Sequence, residues 1–182
     1  MKTRTTRRAL LVAAALVIAV ATPARAQGTG MEIGTSLVGL AVNWGDHTQT
    51  STTLGIPSAG FGLVNPGVYV SVFAGSHIAV EPQIGLVFRS AGGHSAHALT
   101  VAGQVDYLLK GSRASSPYVF GSAGLLSASG AGPTPKFFSA GAGYRKLVGD
   151  RLTMRIDGRV THFTDGLGNA LVFGVSLGGV FK

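Results

Sequence analysis

The amino-acid sequence predicts an all-β fold, an eight-stranded antiparallel up-and-down transmembrane β-barrel preceded by a cleavable signal peptide. Three observations predict it. The chain opens with a basic and then apolar leader, and short segments of alternating apolar and polar residues follow. Charged residues make up only 12% of the chain, against about 25% in soluble domains. A surface with so few charges is typical of a protein whose outside does not face water.

The leader has the three parts of a secretory signal peptide. Four basic residues precede an apolar run over residues 9–21, and Ala24, Arg25 and Ala26 give the small-x-small pattern of a cleavage site. The apolar run is 13 residues long, too short for the roughly 20 residues of a membrane-spanning helix. We therefore expect cleavage after Ala26, with a signal peptide at 1–26 and the barrel domain at 27–182.

Most of the excess charge belongs to the leader. The full sequence has 15 Lys and Arg against 7 Asp and Glu, a formal net charge of +8. Five of the basic residues and none of the acidic ones precede the cleavage site, so cleavage lowers the net charge to +3. This removes most of the support for a nucleic-acid partner. The chain has no Cys, which excludes disulfides and thiolate metal sites, and no cofactor is expected.

Eight strands are predicted from the alternating segments that lie between Gly-, Ser-, Pro- and Asn-containing turns. They cover residues 31–42, 66–74, 77–88, 98–109, 117–126, 136–146, 151–162 and 169–181. Alternation is clearest in the third, fourth, seventh and eighth strands, where apolar residues occupy every second position. The first and fifth strands alternate poorly, so their facing is left open.

The alternation does not by itself say which face is inside, because a soluble barrel turns its apolar face inward and a membrane barrel turns it outward. The polar faces carry few, nearly balanced charges, which suits an enclosed and paired network. The residues predicted to form this barrel-interior polar network are Glu81, Gln83, Gln104, Asp106, Arg145, Arg155, Asp157 and Arg159. Because side chains fill an eight-stranded barrel, we expect a structural plug, with a gated or selective pore as the alternative.

Connections and aromatic positions also favour a membrane barrel. The connections after strands two, four and six are short, and those after the odd strands tend to be longer, with 43–65 the longest. An even strand number with short periplasmic turns puts both barrel ends on the periplasmic side. Aromatic residues near strand ends are predicted to form two interfacial girdles. The periplasmic girdle comprises Phe73, Tyr107, Tyr118, Tyr144 and Phe181, and the outer girdle Trp44, Phe88, Phe138 and Phe163.

With these features the sequence resembles the small outer-membrane barrels of the OmpA-transmembrane and OmpX type. The most specific element is the ending, residues 171–181, an alternating final strand similar to the tail that barrel-assembly machinery reads. The family usually stops on Phe, whereas Lys182 follows Phe181 here. The resemblance implies location in the cell outer membrane, outer-membrane lipid and the barrel-assembly machinery as partners, and Phe181 as the assembly signal. It brings no catalytic motif.

Four functions remain open. The first is a structural or surface-interaction role without enzymatic activity, for which the long first loop is the candidate contact region. The second is a narrow channel for small or apolar solutes. The third is a lipid-modifying enzyme centred on His162, with Thr164 where lipid A deacylases have the Ser of a His-x-Ser dyad. The fourth is a soluble periplasmic barrel. His94 and His97, expected in an outer loop, form at most a weak metal pair.

Overall fold

The computed structural model describes residues 30–44, 49–54, 67–91, 94–128, 135–164 and 168–181. The predicted signal peptide and its cleavage site lie outside these residues and stay predictions. The described residues form nine strands: β1 (Met31–Trp44), β2 (Gln49–Leu54), β3 (Val68–Ala74), β4 (Ile78–Ala91), β5 (His94–Leu108), β6 (Ser115–Ala128), β7 (Lys136–Val148), β8 (Leu152–Phe163) and β9 (Asn169–Phe181). Within those ranges, no helix is long and apolar enough to cross a membrane.

The strands close into an antiparallel barrel with eight positions around its circumference. Each strand from β3 to β9 pairs with the next, and β9 returns to pair with β1 from Met31↔Phe181 to Trp44↔Asn169. β2 and β3 share one position beside β1, because β2 pairs with residues 38–43 and β3 with residues 31–35. The predicted fold class is therefore confirmed.

β2 is the one strand that the sequence pattern does not predict, because it lies within the segment 43–65 that the pattern predicts to be the first loop. Its sequence, QTSTTL, has the β-branched Thr residues that favour strands. It lacks the apolar alternation by which strands are recognised in a sequence. Residues 45–48 and 55–65 of the predicted loop lie outside the described residues.

The clearly alternating strands place their apolar residues outward and their polar residues inward. In β8, Leu152, Met154 and Ile156 are exposed on the outer wall, whereas Thr153 and Arg155 are buried in the lumen. β4 and β5 follow the same rule with their own acidic and amide residues inside. The barrel is therefore apolar outside and polar inside, opposite to the arrangement in a soluble barrel.

The poor alternation of β1 has a physical cause, a β-bulge between Ser36 and Val38. Before the bulge the inward residues have even numbers, as at Glu32 and Ser36, and after it they have odd numbers, as at Ala41. One extra residue in a strand shifts the period-two pattern by one position and exchanges the two faces. No single alternation can therefore describe the whole of β1.

The strand ends divide the molecule into a turn end and an outer end. At the turn end, short connections contain glycines in the left-handed conformation, such as Gly75 (φ 77°) and Gly149 (φ 68°), which fit tight turns. Met31 and Phe181 pair at this same end. At the outer end, β4 and β5 continue until Ala91 pairs with His94. The prediction that His94 and His97 occupy a longer loop is therefore wrong, since both lie in β5.

The aromatic residues separate into an outer and an inner set. Tyr107, Tyr144 and Phe181 at the turn end and Trp44 and Phe138 at the outer end are exposed on the wall, as predicted for girdles. The side chain of Phe88, in β4, lies outside the described set. The girdle assignment is wrong for three residues whose rings are buried in the lumen, Phe73, Tyr118 and Phe163.

Candidate functional site in the barrel lumen

The polar residues that the sequence singles out all lie in the lumen. Each of the eight has a relative exposure of 9% or less. They come from four strands: Glu81 and Gln83 from β4, Gln104 and Asp106 from β5, Arg145 from β7, and Arg155, Asp157 and Arg159 from β8. Their inward alternation along the strands brings them together near the middle and the turn end of the barrel.

Arg155 is the centre of the largest group. Its Nε donates to Glu32 Oε1 at 2.9 Å, its Nη1 to Glu81 Oε2 at 2.6 Å, and its Nη2 to Ser71 Oγ at 2.7 Å. Asp106 Oδ2 lies 3.7 Å from Nη1. All three guanidinium nitrogens therefore bind acceptors on strands other than β8, which satisfies a charge that burial would otherwise make very unfavourable.

Glu32 is the network member that sequence reasoning missed. Its carboxylate is fully buried and accepts hydrogen bonds from Tyr69 Oη at 2.9 Å, from Arg155 Nε and from Arg145 Nη2. The first five residues of β1 carried the signal, because Glu32 and Gly34 alternate with Ile33 and Thr35. The β-bulge farther along β1 hid this short alternation.

Amide side chains hold the carboxylates in place. Gln83 Nε2 donates to Glu81 Oε1 at 2.7 Å and lies 3.0 Å from Gln104 Oε1. Gln104 Nε2 donates in turn to Asp106 Oδ1 at 2.7 Å. Ser71 Oγ donates to the other oxygen of Glu81. This chain of hydrogen bonds links β3, β4 and β5 on the lumen side, in addition to their backbone ladders.

Asp157 and Arg159 form a second, smaller pair. Arg159 Nη2 donates to Asp157 Oδ1 at 3.1 Å, and Tyr118 Oη lies 3.5 Å from Asp157 Oδ2. The pair is separate from the hydrogen bonds around Arg155, although Tyr118 also lies beside the Arg155 guanidinium, 5.9 Å from ring centroid to Cζ. Sequence reasoning grouped the eight residues as one network, and the structure divides them into these two groups.

Aromatic rings line the guanidinium groups. Arg155 lies over the Tyr69 ring at 4.5 Å, Arg145 over Phe73 at 4.8 Å, and Arg159 over Phe120 at 4.9 Å, measured from Cζ to the ring centroid. Such stacking favours a cation, most strongly where water is excluded. These three inward rings are thus part of the network rather than of a girdle.

Inward glycines make room for these rings. A Cβ added at Gly34 or Gly178 would overlap the Tyr69 side chain, and one at Gly143 would overlap Tyr118. A Cβ added at Gly141 would likewise overlap the Phe120 ring. The lumen of an eight-stranded barrel is narrow, so a large inward ring needs a neighbouring strand without a side chain. This explains part of the high glycine content, 28 residues.

Apolar layers lie on both sides of the charged network. Towards the outer end, a buried cluster contains Leu126, Phe137, Phe163 and Val172, with the two phenylalanine rings 6.1 Å apart. Towards the turn end, the cluster contains Phe73, Ala79, Leu108, Tyr118 and Phe120. A water-filled passage would wet the side chains along its length. The near-complete burial of these residues shows that the described side chains pack the lumen tightly at three levels.

Arg113 closes the turn end. Its Nε and Nη2 both donate to the carbonyl oxygen of Gly75, at 3.1 and 2.7 Å, and its own carbonyl oxygen accepts from Arg145 Nη1. Its guanidinium also lies 5.4 Å from the centre of the Phe73 ring. The β5–β6 connection is thereby fixed both to the β3–β4 turn and to the charged network.

Comparison with known proteins rests on structure, since no family model and no curated protein sequence matches the chain. Neisserial surface protein A (NspA) is similar with a TM-score of 0.56 and 11% identity, over 86% of this chain and 97% of that protein. Ail, the attachment invasion locus protein of Yersinia pestis, solved in complex with the heparin analogue sucrose octasulfate, gives a TM-score of 0.53 and 10% identity, over 84% and 99%.

The chain has the fold of the small eight-stranded outer-membrane barrels. The fold and its eight positions around the circumference agree with the expectation from the OmpA and OmpX resemblance. At these identities the likeness concerns the fold, and the function has to be argued from the side chains of this outer-membrane-type barrel.

His162 lies on the outer wall of the barrel, close to its outer end. It is exposed, and its Nδ1 donates to Asn169 Oδ1 at 2.9 Å. Thr164 Oγ1 accepts from the Lys136 backbone N–H at 3.0 Å and lies 3.2 Å from the Lys136 carbonyl oxygen. An amide oxygen rather than a carboxylate thus orients His162, and the Thr164 hydroxyl is engaged with the backbone of β7. Among the described residues no group of three or more metal-ligating side chains occurs.

Proposed function

We propose that this protein is an outer-membrane barrel with a structural or surface-interaction role, that it has no enzymatic activity, and that it does not conduct. The observation that carries the proposal is the Arg155 network, which is buried inside a barrel whose outer wall is apolar. Its proposed partners are outer-membrane lipid and, during biogenesis, the barrel-assembly machinery.

The outer wall supports the membrane placement. Large apolar side chains such as Ile84, Val105 and Ile156 are about half exposed, Ile156 to 53%. In water, each Å² of this exposed apolar surface forgoes about 25 cal/mol of burial free energy. In a bilayer the same surface contacts hydrocarbon instead of water. The two girdles of exposed aromatic residues bound this apolar band, as they do at membrane interfaces. A soluble periplasmic barrel would need the reverse arrangement.

Gel mobility tests the membrane placement. The membrane fraction of cells expressing the full chain is run with and without boiling, because folded membrane barrels resist detergent until heated. We expect a heat-modifiable band that stays with the membrane after a carbonate wash. Recovery of the folded protein in the aqueous fraction would refute the proposal. Cysteine substitutions at Ile84 and Ile156, probed with a lipid-soluble reagent, and at Arg151, probed with a water-soluble one, provide an independent measurement.

The hairpin of β4 and β5 supports the surface-interaction role. Among the described residues, the pairing of β5 with β6 extends to Ala98↔Ala128, whereas β4 and β5 stay paired as far as Ala91↔His94. Residues 88–91 and 94–97 therefore pair with each other beyond the last described pair of β5 with β6, and they include Arg89, His94 and His97. The two structural neighbours are described as a surface protein and as an attachment protein.

A shortened hairpin tests this role. Residues 89–96 are replaced by Asn-Gly, which favours a tight two-residue turn, and binding of cells to a heparin-coated surface is compared with wild type. We expect reduced adhesion with unchanged heat-modifiable mobility. The control is Lys136→Gln, which removes an exposed cation at the same end of the barrel without shortening the hairpin. Equal adhesion of all three proteins would exclude a polyanion contact by the hairpin.

A further inference from the structure

The group of charges around Arg155 contains more carboxylates than guanidinium groups. Among the described residues, its ion pairs join Glu32, Glu81 and Asp106 to two cations, Arg145 and Arg155. All five side chains are buried, with relative exposures of 4% or less. With every group ionised, three negative charges would face two positive ones, and an uncompensated charge away from water is strongly unfavourable. The excess negative charge therefore has to be neutralised.

The other charged groups of the described lumen do not supply the missing positive charge. The charged and titratable side chains that line this part of it are Glu32 in β1, Tyr69 in β3, Glu81 in β4, Asp106 in β5, Tyr118 in β6, Arg145 in β7, and Arg155, Asp157 and Arg159 in β8. Asp157 and Arg159 pair with each other, and the two phenols are neutral because phenols ionise near pH 10. Arg113 is partly exposed at the turn end, where its guanidinium donates to the Gly75 carbonyl oxygen. The excess charge thus stays with the carboxylates around Arg155.

Glu32 and Glu81 are the two carboxylates with the most hydrogen-bond donors. Glu81 accepts from Arg155 Nη1 at 2.6 Å, from Gln83 Nε2 at 2.7 Å and from Ser71 Oγ. Glu32 also accepts from three side chains, two of which are guanidinium groups. Hydrogen bonds to the charged form of a carboxyl group favour that form. These two residues therefore stay ionised.

Asp106 has the weakest contact with a cation. Its Oδ1 accepts from Gln104 Nε2 at 2.7 Å, but its Oδ2 lies 3.7 Å from Arg155 Nη1, beyond hydrogen-bond distance. The same nitrogen already donates to Glu81. Two carboxylates thus compete for one nitrogen, and a second negative charge nearby disfavours ionisation of the carboxyl group that is farther from the cation. Protonation at Asp106 would remove the excess charge without breaking an ion pair of hydrogen-bond length.

We propose that the lumen binds one proton at Asp106 and keeps it at neutral pH. In the unfolded chain this carboxyl group is in water, where it releases its proton near pH 4. Above that pH, and up to the pH at which the folded protein also releases the proton, folding takes up one proton. Stability therefore decreases as the pH rises through this range, and the unfolding equilibrium constant increases by up to about tenfold per pH unit.

Two variants with the same chemical change test the proton. Asp106→Asn replaces the protonated acid by a neutral amide of the same shape, and Asp150→Asn makes this change at an exposed turn position. Urea titrations of the barrel in detergent micelles are compared between pH 5 and pH 7, with heat-modifiable gel mobility reporting the folded fraction. We expect the unfolding equilibrium constant of wild type and of Asp150→Asn to rise at least about tenfold over this range. That of Asp106→Asn should change less than about threefold, because the titrating group is gone.

Infrared spectroscopy of the folded barrel in an ester-free detergent detects the proton without a stability measurement. A protonated carboxyl group has a carbonyl band that carboxylates and amides lack. Wild type and Asp150→Asn should show this band at pH 7, and Asp106→Asn should not. Absence of the band from wild type, or the same pH profile in wild type and Asp106→Asn, would overturn the proposal. So would a wild-type stability at pH 7 that falls when sodium is replaced by choline at constant ionic strength, because a metal cation would then neutralise the excess charge.

Discussion

Arg155 Nη1 in β8 and Glu81 Oε2 in β4 lie 2.6 Å apart inside the barrel. β4 and β8 are four positions apart in a closed sheet of eight, so this ion pair joins opposite walls of the lumen. Backbone ladders link each strand only to its neighbours, and a cross-lumen pair adds a link that they cannot provide. The pair also keeps the lumen filled. If either side chain moved out of the lumen, the other would remain buried as an unpaired charge.

Stability should depend strongly on this pair. Arg155→Ala leaves Glu81 buried without its cation and Glu32 with Arg145 alone, and loss of one partner from a buried pair costs about 3–5 kcal/mol. The free energy of unfolding, measured by urea titration of the barrel in detergent micelles with gel mobility as the readout, should fall by that amount. Arg151→Ala, at an exposed turn position, is the control and should change it by less than about 0.5 kcal/mol. Equal stability of the two variants would contradict the network.

The closed lumen predicts the electrical behaviour. Wild-type protein in a planar bilayer should show no steady ohmic current. Arg155→Ala should not conduct either, because the Phe137 and Phe163 layer on one side and the Phe73 and Leu108 layer on the other remain packed. A steady current through the wild-type protein would instead support the alternative of a narrow channel. Single-channel recordings, with a known porin as the positive control, distinguish these outcomes.

Ring-to-glycine packing predicts which glycines tolerate a methyl group. At Gly34 an added Cβ would overlap the Tyr69 ring and the Leu177 carbonyl group, whereas at Gly103 it would meet nothing within 4 Å. Gly34→Ala should therefore lower the free energy of unfolding by about 1–3 kcal/mol, as overpacking does. Gly103→Ala should leave it unchanged or raise it, because Gly weakens a strand. Urea titration of both variants provides the measurement, and equal loss in both would argue against this packing.

The sequence alone predicts the facing of residues in strands where inward and outward positions alternate without a break. β8 alternates without interruption, so its outward Ile156 and inward Arg155 could both be assigned. Glu32 could not, because the bulge in β1 exchanges the two faces partway along the strand. The sequence predicts Tyr118 in a girdle, because a ring near a strand end can point to either face and the position alone does not distinguish them. Its inward position depends on the space left by Gly143 on the neighbouring strand, a relationship between two strands that no single segment contains.

The final strand carries the remaining prediction, that Phe181 acts as an assembly signal. Phe181 is 52% exposed at the end of β9 and pairs with Met31 where the barrel closes. Its ring adds little to the packed lumen, so Phe181→Ala should hardly change refolding of the purified barrel from urea. In cells the same variant should reduce the folded, heat-modifiable fraction severalfold, because the assembly machinery reads the strand before closure. Phe138→Ala removes an equally exposed ring from the opposite girdle and should assemble normally. If both variants assemble alike in cells, or if Phe181→Ala refolds poorly in vitro, the role of Phe181 is in membrane anchoring or stability instead.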